Sequence, residues 1–158
     1  MKNRRVYLAG PDVFFPDVTE RSETLKILCD HYDLEGVFPL DSEIKLVEPI
    51  NQEKNGYIIY QGNIKLIQSC AAVLANISPF RGPSVDAGTA FEIGYGLASG
   101  LIVVAYTNNK TFYKSRVKPD GLMVEDFDML DNLMIHCATN GNIFDRPSLA
   151  LKYLAGVL

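Results

Sequence analysis

The chain has 158 residues and a net charge of −4, with 22% charged and 47% hydrophobic residues. This fits one globular domain, residues 1–158, around a single core. Lys and Arg are scattered beyond Arg4-Arg5, which excludes a basic face for nucleic-acid polymers, and no apolar run reaches the ~20 residues of a membrane span.

Three cysteines at wide spacing, Cys29, Cys70 and Cys137, form no disulfide framework and no metal motif, so each is expected as a small core residue. The polar start runs straight into a strand without a signal-peptide core. Together these features point to a cytoplasmic protein with no metal.

Arg5 to Ala9 is a β-branched and aromatic run stopped by Gly10-Pro11, a first strand that delivers a loop. Leu25, Leu28, Cys29 and Tyr32 recur at helical spacing within Thr19 to Tyr32. Leu34 to Phe38 reads as a second strand, ended by Pro39. Gln52 to Ser69 is helical, with Tyr57, Tyr60, Ile64 and Ile67 along one stripe. Ala71 to Ile77 is nearly all apolar, as expected of a strand covered on both faces. A loop over Ser78 to Asp86 leads into a small-residue helix, Ala87 to Ser99, ended by Gly100. Leu101 to Tyr106 is another buried strand, and residues 107–131 lack periodicity. Leu133 to Ala138 is expected as the last strand and Ser148 to Leu154 as a closing helix.

Strands alternating with helices imply crossover units. The expected fold is α/β: a mostly parallel five-stranded sheet with helices on both faces, of the Rossmann or flavodoxin-like kind. Ligands of such sheets bind beyond the carboxyl ends of the strands. That places the loops after Ala9, Phe38 and Ile77 at the site.

The densest chemical signal runs from Ser78 to Gly94 and contains Asp86 and Glu92. Asp86 stands where loop meets helix, so it reads as an N-cap, a role that leaves a catalytic role open. On the helix, Ala87, Ala90, Phe91, Gly94 and Ala98 form the stripe expected to face the core. Glu92 lies beside it between Gly88 and Gly96, where a ligand could approach closely. Six residues turn a helix through ~600°, so Asp86 meets Glu92 only by projecting from the loop. Two convergent carboxyl groups suit glycosyl transfer with retention, one attacking the anomeric carbon while an acid protonates the leaving group. Tyr7 alternates with apolar neighbours and would otherwise read as core. Phe14 and Phe15 are candidates to shield the site or to pack within the loop.

These residues resemble the nucleoside 2-deoxyribosyltransferases. Tyr7-Leu-Ala-Gly10-Pro looks like the family's first strand and loop, and Pro39-Leu-Asp41-Ser-Glu43 like its second-strand loop. Gly62-Asn63-Ile64 through Ala75 to Gly82 resembles the middle of its purine-accepting and protozoan members. Asp86 to Gly94 is similar to the catalytic segment, and Asn132-Leu-Met134 to the motif lent to a neighbouring subunit. Five motifs in order over residues 5–137 carry the resemblance.

The resemblance implies a pentosyltransferase without cofactor, acting on a deoxynucleoside and a free nucleobase by ping-pong exchange, with Glu92 as nucleophile. It implies that Tyr7 orients Glu92 and that Asp86 binds the sugar hydroxyls. Asn132 would reach the 5′-hydroxyl across an interface, so the chain would be a homodimer or higher homo-oligomer. Glu43 would contact the base, and Asp41, Phe15, Gly10 and Gly88 would line the substrate. One position departs: many members carry an aspartate where this chain has Asn63, which cannot titrate. The proton for the leaving base must then come from Asp41, Glu43 or water, unless base recognition differs. Two other readings stand beside the transferase. One is an N-glycoside hydrolase of deoxynucleosides or their 5′-monophosphates, with Arg81, Gly82 and Ser84 near a phosphate. The other is a nucleoside sensor without turnover.

Overall fold

In a computed structural model, residues 3–41 and 51–158 are described. The strands are β1 (Arg5–Ala9), β2 (Glu35–Val37), β3 (Ala72–Asn76), β4 (Ile102–Tyr106) and β5 (Ile143–Phe144). The helices are α1 (Val18–His31), α2 (Gln52–Gln68), α3 (Ala87–Ala98), α4 (Tyr113–Arg116), α5 (Leu133–Ala138) and α6 (Pro147–Val157). Short 3-10 turns follow β1 (Pro11–Phe14) and β2 (Pro39–Asp41).

All neighbouring strands pair in parallel in the order β2-β1-β3-β4-β5, the flavodoxin-like order. Successive strand residues point to opposite faces, so β1 divides its side chains between two cores. Val6 and Leu8 pack with Leu25 and Cys29 of α1 and Leu151 and Leu154 of α6. Tyr7 and Ala9 pack with Ile67 of α2 and Ile93 of α3. The central strands are mostly apolar because helices cover them on both sides, as the nearly all-apolar Ala71–Ile77 run implies. No helix among the described residues is long and apolar enough to cross a membrane.

Several expectations need correction. Leu133–Ala138 is a helix, and the fifth strand is the two-residue Ile143–Phe144. An apolar hexapeptide has no decisive period; here Asn132 decides, its Oδ1 accepting from the Met134 N–H at 3.0 Å as an N-cap. The core stripe of α3 is Thr89, Ile93 and Gly96, whereas Phe91 is half exposed. The small residues set on the core stripe, Ala87, Gly94 and Ala98, face outward instead. On α2, Ile67 is buried but Tyr57 and Tyr60 stand exposed. Of the cysteines, Cys29 and Cys70 are buried and Cys137 is exposed.

Gly96 is required by packing and does not flank a ligand slot. A Cβ there would lie 2.7 Å from Val73 Cγ2 on β3. Overpacking of this kind costs about 1–3 kcal/mol. Gly96→Ala is therefore expected to lower the thermal unfolding midpoint by several degrees, read by calorimetry. An unchanged midpoint would show that α3 can lift off β3 freely.

Candidate active site

Tyr7 and Glu92 come from different elements on the α2/α3 side of the sheet and meet in one hydrogen bond. The Tyr7 hydroxyl donates to Glu92 Oε1 at 2.7 Å. Tyr7 is fully buried on β1, so its ring is fixed and its hydroxyl is an aimed donor. Glu92, half-buried, lies on α3 one position before the buried Ile93. The position that anchors the helix to the sheet thus sets the carboxylate beside it.

Asp86 sets where α3 begins. Its backbone is extended and its Oδ2 accepts from the Thr89 N–H at 3.2 Å. The cap reading therefore holds. Its charge also acts on Glu92. Burial raises the Glu92 carboxyl to about 7, the Tyr7 hydrogen bond opposes that rise, and Asp86 adds to it. Burial and the Glu92 charge push the Tyr7 hydroxyl well above its ordinary range. The pair is therefore a carboxylate poised near neutrality and a phenol that keeps its proton.

Beside Glu92 a cavity of about 380 Å³ opens between α2 and α3, lined by Asn63, Ile64, Tyr60, Gly88 and Phe91 among others. Asn63 Oδ1 is buried there with no hydrogen-bond partner among the described residues. An unpaired buried acceptor costs roughly 1–3 kcal/mol unless a ligand or water satisfies it. Gly88 lines the cavity beside the Asp86 carboxylate: a Cβ there would lie 3.0 Å from Asp86 Oδ2. The wall continues outward as an exposed aromatic row, with Tyr57–Tyr60, Tyr60–Phe91 and Phe91–Tyr95 ring centroids 5.9, 6.1 and 6.0 Å apart.

The structure thus brings together Tyr7, Asn63, Asp86, Gly88 and Glu92. Gly10, Phe15, Asp41 and Asn132 are not among the residues lining that cavity, and each makes contacts of its own. Gly10 closes β1, where a Cβ would lie 2.9 Å from both Asn76 Cβ and Asp12 Oδ2. The Asp12 carboxylate accepts from Arg21 and Asn76, each at 3.1 Å. Phe15 lies under the Arg21 guanidinium, 4.0 Å from its ring centroid. Asp41 closes its 3-10 turn, accepting from the Phe38 N–H at 2.8 Å and pairing with Lys26 at 2.5 Å. Asn132 caps α5 and donates to Glu125 at 2.7 Å. Glu43 lies outside the described residues. Arg81 sits over the Phe14 and Phe80 rings, and the Ser84 hydroxyl donates to Asp131. Ser84 is therefore not free to cradle a phosphate.

A second, open cavity of about 460 Å³ lies on the α1/α6 side, lined by Asp12, Arg21, Asn76 and Tyr106 among others. It shares no residue with the Glu92 cavity. Among the described residues no group of three or more His, Cys, Asp or Glu could hold a metal. The sequence reading missed Asp131 and Arg116, which hold the segment before Asp86. It also set Phe91 on the core-facing stripe of α3, when Phe91 lines the cavity with its ring half exposed. No periodic pattern marks Asp131, whose role rests on contacts far along the chain.

Fold and site define an α/β protein of flavodoxin-like order with a desolvated glutamate aimed into a cavity between two helices. The family model for nucleoside 2-deoxyribosyltransferase matches residues 6–134, and the chain belongs to that family. Among solved structures, a 2-deoxyribosyltransferase from Leishmania mexicana is 31% identical, with a TM-score of 0.81 over 97% of each chain. A 2-deoxyribosyltransferase from Bacillus psychrosaccharolyticus shares the fold at 17% identity, with a TM-score of 0.60 over 94% of this chain and 90% of that one. A Schizosaccharomyces pombe protein described as uncharacterized is 32% identical over 114 residues, 72% of this chain. The chain spans about half the length of that relative, 54%.

Proposed function

We propose that this protein transfers 2-deoxyribose between nucleobases by a retaining, ping-pong route with Glu92 as nucleophile. The observation that carries the reading is the Tyr7–Glu92 pair at the wall of the α2/α3 cavity. An ionised Glu92 oxygen attacks C1′ while the C1′–N bond breaks, and its electron pair stays on the departing base, which takes a proton. The product is a deoxyribosyl ester of Glu92. A ring nitrogen of the second base then attacks C1′, the ester C1′–O bond breaks, and the carboxylate is restored as the new nucleoside loses a proton. Two inversions give net retention.

In this scheme Tyr7 holds the carboxylate, Asp86 binds the sugar hydroxyls, and Asn63 meets the base edge with its unpaired carboxamide oxygen. Asn63 has no proton to give in acid–base exchange, so the leaving base draws its proton from another group or from water. The chain acts as a cytoplasmic homo-oligomer in which Asn132 completes a neighbouring copy's site. Its carboxamide nitrogen is then shared with Glu125, or released from it.

Intact-mass spectrometry after mixing with 2′-deoxyadenosine or thymidine tests the scheme. A gain of one deoxyribosyl group, mapped to Glu92, is the expected result, together with base exchange when free hypoxanthine or adenine is added. Release of free deoxyribose at a rate unaffected by added base would replace the transferase with a hydrolase. Neither an adduct nor exchange would overturn the reading.

A further inference from the structure

Asp131 is buried, 1% exposed, and both of its carboxylate oxygens accept hydrogen bonds. Its Oδ1 accepts from the Ser84 hydroxyl and from the Asn132 N–H at 2.7 Å. Its Oδ2 accepts from the Val85 N–H at 3.0 Å and faces Arg116 Nη2 at 3.5 Å. Arg116 continues the clamp, donating to the Pro83 carbonyl at 2.7 Å, the Leu130 carbonyl at 2.8 Å and the Thr111 carbonyl. Two side chains from the far end of the sequence therefore hold three consecutive residues, Pro83, Ser84 and Val85. The next residue is Asp86.

A buried carboxylate is tolerated only when it is paired and hydrogen-bonded, and removing one partner leaves a costly orphan. This clamp is consequently stiff. It fixes the approach of the chain into α3, so it fixes where the Asp86 carboxylate projects. The same carboxylate holds the backbone of Asn132. An ordinary turn would need none of these contacts.

We propose that Asp131, braced by Arg116, is a positioning residue that sets Asp86 for sugar binding beside Glu92. This rests on the role given to Asp86 under the proposed function. Displacing a binding group by about 1 Å costs on the order of 100-fold in rate.

The test is a double-mutant cycle of Asp131→Asn with Asp86→Asn, read as kcat/KM for base exchange from 2′-deoxyadenosine and from thymidine. Asparagine at 86 still caps α3, and asparagine at 131 keeps shape but loses one acceptor. Asp131→Asn alone is expected to lose about 10–100-fold, and less than about 3-fold once Asp86 is already changed, because coupled positions do not add. Losses that multiply, or an Asp131→Asn protein within about 2-fold of the parent, would overturn the proposal. A purely structural Asp131 would give multiplying losses. If Asp131→Asn does not fold, Ser84→Ala removes a single bond to the same carboxylate and enters the same cycle, with a smaller loss that again disappears beside Asp86→Asn. The cycle is repeated as Kd for 2′-deoxyadenosine by calorimetry in the Glu92→Gln background. If the parent exchanges no bases, the proposed function fails and the binding cycle still decides whether Asp131 acts through Asp86. If the parent exchanges bases and both cycles multiply, only the positioning role fails.

Discussion

Glu92→Gln is expected to lose base exchange by a factor on the order of 10⁴ or more and to unfold at a higher temperature than the parent at pH 8. The activity loss follows because a carboxamide cannot form the glycosyl ester. The stability gain follows from the titration of Glu92. An ordinary glutamate titrates near 4.5, and burial raises this one to about 7. Below about pH 4.5 the group is neutral whether the chain is folded or not. Between about 4.5 and 7 the unfolded chain has released the proton while the folded chain still holds it. Stability therefore falls as pH rises through that window and stays low above it. The full gap corresponds to about 3 kcal/mol, and solvent at the cavity mouth reduces it to about 1–3 kcal/mol. Glutamine removes the buried charge and still accepts from the Tyr7 hydroxyl. Its advantage should thus reach several degrees at pH 8 and shrink towards zero at pH 4. A midpoint difference independent of pH would show that Glu92 is not desolvated. Such a trade is usual where a site holds a strained or poorly solvated group for chemistry.

Sequence pattern carried the fold because the sheet is built from strands covered on both sides. The runs at Arg5–Ala9, Ala71–Ile77 and Leu101–Tyr106 have no solvent face, and together with the alternating helices they imply a parallel sheet. The pattern failed where an element is short or its apolar residues do not face the core. Leu133–Ala138 is as apolar as a strand, and a single cap at Asn132 makes it a helix. Phe91 fell on the helical stripe expected to face the core, yet it stands half exposed at the cavity. Asp86 and Glu92 were legible as a pair from their spacing and from the loop–helix junction. The two glycines beside Glu92 serve different ends. Gly88 does line the cavity, but Gly96 is a glycine for the sake of Val73. The clamp around Asp131 was not legible, since it joins residues 83–85 to 116 and 131 with no local signature at either end.

Tyr7→Phe is expected to lower base exchange about 10–100-fold at pH 7, with much of the loss recovered at pH 9. Tyr7 is fully buried, and phenylalanine keeps its ring, so the effect isolates one hydroxyl. That hydroxyl donates to Glu92 at 2.7 Å and opposes the effect of burial. Without it the Glu92 carboxyl moves above about 7, and a smaller fraction is ionised at neutral pH. Hydrogen bonds to charged groups contribute about 1.5–3 kcal/mol, which sets the 10–100-fold range. The acid limb of kcat/KM, near pH 7 in the parent, should shift to higher pH in the variant. Raising the pH restores the carboxylate, so the loss should narrow to whatever the hydroxyl adds by holding the carboxylate in line with C1′. A loss constant from pH 6 to 9 would mean that Tyr7 acts by orientation alone. In the proposed scheme Tyr7 orients Glu92 and is a weak acid towards the leaving base. Burial and the neighbouring negative charge make it hold its proton more tightly than an ordinary tyrosine, and a group that will not release its proton serves by aiming it.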